Sequence, residues 1–235
     1  MAVEKVINHE VSGFNLEEMV KAGLHFGHVC SRLHPKMKKY IFGVRKTVHI
    51  FDLKETAQKL RLALDHVEEL IRDNKKILFV GTKIQHREPV RELAGEFGFS
   101  YVATRWLGGF LTNFDVMRKR VVYWQGLRDQ VQDASFAKRP KKEQARLKRE
   151  LFNLTTKFAG IEKMEKLPDA LFICDIRKDN IALKEAIRMK LPVIAITDSN
   201  VDPSLVDWPI PTTDDGISAA KYIFEKLRES ILKAK

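Results

Sequence analysis

The sequence predicts an α/β fold, a mainly parallel sheet flanked by helices with an inserted antiparallel helical hairpin. Three observations predict it. Short continuous apolar runs, Ile77-Leu78-Phe79-Val80, Ala170 to Cys174 and Pro192 to Thr197, read as strands buried on both faces. Amphipathic stretches of helical length separate these runs, the alternation that gives a parallel sheet of the Rossmann or flavodoxin-like kind. The rhythm breaks in the middle third, where Met117, Val121, Trp124, Leu127 and Val131, then Leu147, Leu151, Leu154, Phe158 and Ile161, recur at spacings of three and four. Two such stripes joined by Asp133 to Pro140 form a hairpin that projects from the sheet domain. The expected division is therefore 1–112 with 166–235 as the α/β domain and 113–165 as the coiled-coil insertion.

In chain order, Asn15 with Glu18 three residues on and Gly23 behind marks a short capped helix. A stretch rich in His, Gly and Pro follows. Tyr40-Ile41-Phe42 and Thr47 to Phe51 then read as a hairpin turning at Gly43 to Lys46, with Arg45 and Lys46 at its tip. Asp52 caps a helix striped by Leu53, Ala57, Leu60, Leu64, Val67 and Ile71 and ending near Asn74. Beyond the Ile77 strand come a helix from Arg87 to Phe97, the hairpin, and strand Ala170. A helix from Asn180 to Met189, strand Pro192, a short Trp208-Pro209-Ile210 segment and a helix from Asp214 to about Leu232 complete the chain.

The 235 residues carry 42 Lys and Arg against 31 Asp and Glu, net +11, and the excess is not evenly spread. Residues 21–49 hold seven Lys or Arg, four His and no acid; residues 118–150 are net +7, which leaves the remainder at net −3. Cation gathered this way suits a polyphosphate partner. Cys30 and Cys174 are too few and too far apart for a disulfide scaffold, so a reducing cytoplasm is expected. Met-Ala-Val-Glu-Lys-Val at the start lacks the apolar continuity of a signal peptide, and no run approaches a membrane span.

Catalytic and metal chemistry finds little support. Gly81-Thr82-Lys83 follows a strand, but the glycine spacing of a phosphate-cradling loop is missing, and Gly108-Gly109 lacks the dinucleotide pattern. A nucleotide-dependent α/β enzyme is the competing reading; it predicts saturable nucleotide binding. His25, His28 and Cys30 offer three donors where structural zinc takes four, so phosphate-facing or hydrogen-bonded imidazoles are expected and no cofactor. Asp198 at a strand end and Asp214-Asp215 at a helix start converge on one sheet edge, read as caps and turns or as a divalent-cation or basic-partner site.

The residues also resemble one family. Lys21 to His28 (Lys-Ala-Gly-Leu-His-Phe-Gly-His), Pro35-Lys36-Met37-Lys38, Tyr40 to Gly43, Val48-His49-Ile50, Ile77 to Lys83, Arg105-Trp106-Leu107-Gly108-Gly109 with Leu111-Thr112-Asn113, Leu167 to Ala170, and Asp202-Pro203 before Ile210-Pro211 are similar, in order, to the bacterial S2 family of small-subunit ribosomal proteins. One departure is His34, where many members carry Asn. The resemblance implies an α/β domain with a helical insertion, bound to ribosomal RNA at the junction of head and body. It implies a role in recruiting the large OB-repeat mRNA-binding protein among neighbouring subunit proteins, with no catalysis, no membrane and no homo-oligomer. On this reading His25, His28, Arg32, Lys36, Lys38, Lys39, Arg45, Lys46 and Arg105 face RNA, neutralising phosphates without reading sequence.

Overall fold

The computed structural model describes residues 10–235; the reading of the first six residues lies outside them. A short antiparallel pair, β1 (Glu10–Val11) and β2 (Phe14–Asn15), comes first. Five parallel strands make the main sheet: β6 (Ile77–Val80), β7 (Ser100–Val102), β8 (Ala170–Ile173), β9 (Val193–Thr197) and β10 (Trp208–Pro211), in the spatial order β7-β6-β8-β9-β10. This is the flavodoxin-like order, with its topological switch point between β6 and β8. Side chains alternate between two cores, as a period of two requires. Ile77, Phe79, Ala170, Phe172, Ile194 and Ile196 face α2 (Leu53–Arg72), α3 (Ile84–Phe97) and α7 (Ile217–Ala234). Leu78, Val80, Leu171, Ile173, Val193 and Ala195 face the other layer, which includes α6 (Asn180–Arg188). Strand β10 ends the sheet with Pro209 and Pro211, residues that an edge position tolerates.

The middle third folds as α4 (Phe114–Gln132) and α5 (Lys141–Phe158) packed on each other. The base does not simply project. Met117, Val121, Trp124 and Phe158 share the second sheet core, while Leu127, Phe136 and Leu147 form a separate cluster nearer the tip.

Asn15 caps α1 (Leu16–Lys21) by accepting from Glu17 N at 2.8 Å, and Gly23 follows at φ 80°. A three-stranded antiparallel sheet then joins β3 (Phe26–Val29), β4 (Ile41–Arg45) and β5 (Val48–Phe51), with β5 central. Strands β3 and β7, like the β1–β2 pair, are absent from the sequence reading. The β4–β5 turn is also tighter than expected: Arg45 pairs with Val48, and Lys46 and Thr47 alone turn the chain at φ 46° and 71°. Two successive positive φ values are the twist a two-residue hairpin needs, here without its usual Asn-Gly. Helix α7 begins after Gly216, so Asp214 and Asp215 lie in the loop ahead of it.

Candidate nucleic-acid interface and the carboxylate clasp beneath it

Residues 24–51 are seated on the C-terminal edge of the parallel sheet. His28 N donates to Ser199 Oγ at 3.0 Å, His34 N to Ser199 O at 2.8 Å, and Thr212 Oγ1 to Leu24 O at 2.8 Å. Pro35 opens a 3-10 turn, Pro35–Tyr40, with its φ already near the helical value. Met37 and Tyr40 turn inward against Phe51 to make a small core, which leaves Lys36, Lys38 and Lys39 on the outside.

Arg32, Lys38, Lys39, Arg45 and Lys46 are exposed, and none forms an ion pair with a carboxylate among the described residues. Lys36 differs, because its Nζ donates to Asp202 Oδ2 at 2.7 Å and Ser204 Oγ at 2.6 Å. That contact holds the Asp202 carboxyl well below the usual carboxylate range, with Ser204 adding a second hydrogen bond. Lys36 therefore ties the basic turn to the segment before β10. Arg105 is exposed but follows β7, the edge of the sheet opposite β10, and is not brought to the others.

The histidines face inward. His28 Nδ1 lies 3.0 Å from Asp198 Oδ2 and its Nε2 lies 3.7 Å from Asp215 Oδ2. The hydrogen bond to Asp198 raises its pKa above 6.5 against the opposing effect of burial. It is a carboxylate-facing imidazole, the hydrogen-bonded one of the two roles that the sequence left open. His25 is half-buried against Phe26, and burial first, then Arg45, lowers its pKa.

Beneath His28 the ends of β6, β8, β9 and β10 place Lys83, Asp175, Asp198, Asp214 and Asp215 together. Lys83 Nζ lies 2.6 Å from Asp214, 2.7 Å from Asp215 and 3.2 Å from Asp175. Burial alone would lower the Lys83 pKa, but its bonds to Asp214 and Asp215 raise it further than burial depresses it. Burial, with Asp175 and Asp198 nearby, pushes Asp214 up to about 7. Asp198 keeps a local turn bond, accepting from Ser199 Oγ at 3.0 Å, and accepts from Asp214 N at 3.2 Å, while the group also holds an internal cation and His28. Ligand atoms of His28, Asp198 and Asp214 lie within 4.8 Å of one another, a donor set that also suits a metal ion competing with the Lys83 ammonium.

The same geometry explains why Gly81-Thr82-Lys83 is no phosphate loop. Thr82 N and Oγ1 donate to Asp179 at 3.3 and 2.8 Å, so a carboxylate already fills the place at the switch point where an anion would bind. Asp175 and Asp179 escaped the sequence reading, which met Lys83 only as the end of the Gly81-Thr82-Lys83 stretch and not as the partner of these carboxylates. The Arg105-Trp106-Leu107-Gly108-Gly109 loop is likewise structural. Buried Glu185 accepts from Trp106 Nε1 at 3.1 Å, Gly109 N at 2.8 Å and Leu111 N at 2.8 Å, pinning the loop to α6.

Among the described residues no helix is long and apolar enough to cross a membrane. Comparison with known proteins adds the family. A family profile described as Ribosomal protein S2 matches residues 19–234. A protein of Dictyoglomus thermophilum named small ribosomal subunit protein uS2 is 44% identical over 220 residues, covering 94% of this chain and 89% of its own length. Proteins of the same name from Dehalococcoides mccartyi strains are 41% identical over 220 residues, covering 94% of this chain and 90% of theirs.

Proposed function

The chain belongs to the ribosomal protein S2 family, structural and not enzymatic, and from that premise we propose that it binds small-subunit ribosomal RNA through its basic segment. One observation carries the reading: Arg32, Lys38, Lys39, Arg45 and Lys46 are exposed cations with no carboxylate partner among the described residues, on a segment that itself contains no acid. Free cations at fixed spacing release counterions on meeting phosphate, whereas cations already paired with carboxylates would release none. The resemblance of the motifs supports the finer placement at the head-body junction and the recruitment of the OB-repeat mRNA-binding protein. Asp215, the exposed member of the clasp, is the carboxylate we assign to a basic neighbour, with Asp198 and Asp214 buried behind it. Arg105 and the imidazoles of His25 and His28 carry less of the RNA surface than their positions in the sequence suggest.

The test is affinity for small-subunit ribosomal RNA as a function of salt, with co-sedimentation of the tagged chain with small subunits. We expect log affinity to fall steeply with log salt. Replacing Lys38, Lys39, Arg45 and Lys46 by Ala should lower the slope by roughly 0.7 to 0.9 for each phosphate no longer neutralised. A flat salt response in the unaltered chain, or an unchanged slope in the variant, would overturn the proposal.

A further inference from the structure

Two recesses flank Pro35, and neither belongs to the clasp. The first, about 760 Å³, has Arg32, His34 and Arg177 on its walls and Ile176, Leu183 and Val201 among its apolar lining. Asn180, the first residue of α6, and Asn200 add amide groups that can meet the edge of a heterocycle. The second, about 730 Å³, is bounded by Lys36, Lys38, Lys39 and Lys59 and shares Pro35 with the first as a wall. Both volumes lie within the usual range for small-ligand sites.

Charge chooses the occupant. Arg32, Arg177, Lys38, Lys39 and Lys59 form no ion pair with a carboxylate among the described residues, and they come from three separate parts of the fold. The two carboxylates at the recesses are both engaged: Asp202 with Lys36 at 2.7 Å, and Asp207 accepting from Val193 N at 2.8 Å. A mainly polar recess with amide groups, an apolar patch at its floor and a cationic rim matches a base and its phosphate; a neighbouring lysine groove matches the phosphates that follow. A-form duplex keeps its bases stacked inside and cannot place one in such a pocket, whereas unpaired nucleotides can be splayed out.

We propose that the two recesses form one track for single-stranded RNA, in which an unpaired nucleotide enters the Arg32–Arg177 cleft while the adjoining phosphates cross Pro35 into the lysine groove. The proposal rests on the RNA-binding reading above and adds to it Lys59 and Arg177, cations that no motif singled out.

The probe is a short oligoadenylate carrying one 2-aminopurine, titrated into the full chain beside a blunt RNA duplex of equal length and adenosine monophosphate alone. The single strand should bind at least roughly tenfold more tightly than either, with the 2-aminopurine emission rising as the base leaves its neighbours. Arg32→Ala with Arg177→Ala should abolish the rise and weaken the single strand roughly tenfold. Lys38→Ala, Lys39→Ala and Lys59→Ala together should weaken binding while keeping the rise in the bound state. Lys141→Ala with Lys142→Ala, on the hairpin, serves as the control, and circular dichroism confirms that each variant is folded. Equal affinity for single strand and duplex, or a cleft variant that binds and fluoresces as the unaltered chain does, overturns the track while leaving salt-dependent RNA binding intact. Tight binding of adenosine monophosphate, unaffected by the groove substitutions, would instead identify a free-nucleotide site and also overturn it. Absence of any RNA binding would remove the underlying reading as well.

Discussion

Replacing Lys83 by Met removes the cation that three carboxylates share and keeps most of the apolar stem. Asp175 and Asp214 are 5% and 3% exposed, so they lose their nearest positive charge in a place water barely reaches. Breaking a buried ion pair from one side costs about 3 to 5 kcal/mol. Two features hold this case to the lower end. Asp215, with its side chain 58% exposed, is screened and contributes little. Asp214, which titrates at about 7 even beside Lys83, can take a proton and shed its charge. The expected loss is about 3 kcal/mol at pH 8, or about 6 to 12 °C in Tm for a chain of this size. Its pH dependence has a definite sign. Without the ammonium, the folded-state pKa of Asp214 rises further above its unfolded value, so the variant recovers stability as the pH falls through and below about 7. Thermal melts followed by circular dichroism at pH 8 and pH 5.5 measure both effects. A loss under about 1 kcal/mol at pH 8, or a deficit that grows toward acid, would refute the account of the clasp.

Three further expectations follow from the same geometry. Glu185→Ala should cost about 3 kcal/mol or more, because Trp106 Nε1 and the Gly109 and Leu111 amides lose their shared acceptor; a chemical-denaturation midpoint unmoved relative to the unaltered chain would contradict this. Gly160→Ala places a Cβ on the Tyr101 carbonyl and ring, so the edge strand β7 must shift, and amide exchange should quicken first at residues 100–102. His28 should titrate above 6.5 by nuclear magnetic resonance, contributing stability that is complete below 6.5 and lost as the pH rises through the higher folded value. Asp198→Asn should bring that midpoint down, and an unchanged midpoint would show that the pair is not formed.

The parallel strands β6, β8 and β9 were readable in advance because burial on both faces writes itself as unbroken apolar runs, and Asp52 marks its helix by an ordinary local cap, accepting from Lys54 N at 2.9 Å. What the sequence concealed depends on distant partners. Phe26-Gly27-His28-Val29 has a glycine and a histidine where a strand former is expected, and it is a strand because β5 and Ser199 hold it there. Asp214 beside Asp215 looks like a helix start, since acids collect in first turns; its actual partner, Lys83, lies 131 positions earlier. The candidate site divides in the same way. The exposed cations of residues 32–46 could be named from charge alone, whereas the inward turn of His28, the Lys36–Asp202 tie and the remoteness of Arg105 follow only from the order of strands.

In a doubly wound sheet the carboxyl ends of the strands are ordinarily the ligand end. Here that end meets the chain itself. Asp179 takes the Thr82 amide and hydroxyl, Lys83 takes the position of a bound cation, and Ser199 and Thr212 receive the basic segment by hydrogen bonds. A phosphate brought to the switch point would face Asp175 and Asp179, so the cations proposed to meet RNA are those carried away from it, on residues 32–46 and, at the recesses, Lys59 and Arg177. The seat and the proposed RNA surface are therefore mechanically one device, with His28 as the link between them. It follows that Lys83→Met should weaken RNA binding without touching any RNA-facing side chain, through a lower melting temperature and a loosened basic segment. Lys38→Ala should weaken RNA binding and leave melting unchanged, because its ammonium meets no carboxylate among the described residues. If both variants moved affinity and melting in the same proportion, the division between seat and surface would be wrong, and the basic segment would be held by its charges instead of by the edge of the sheet.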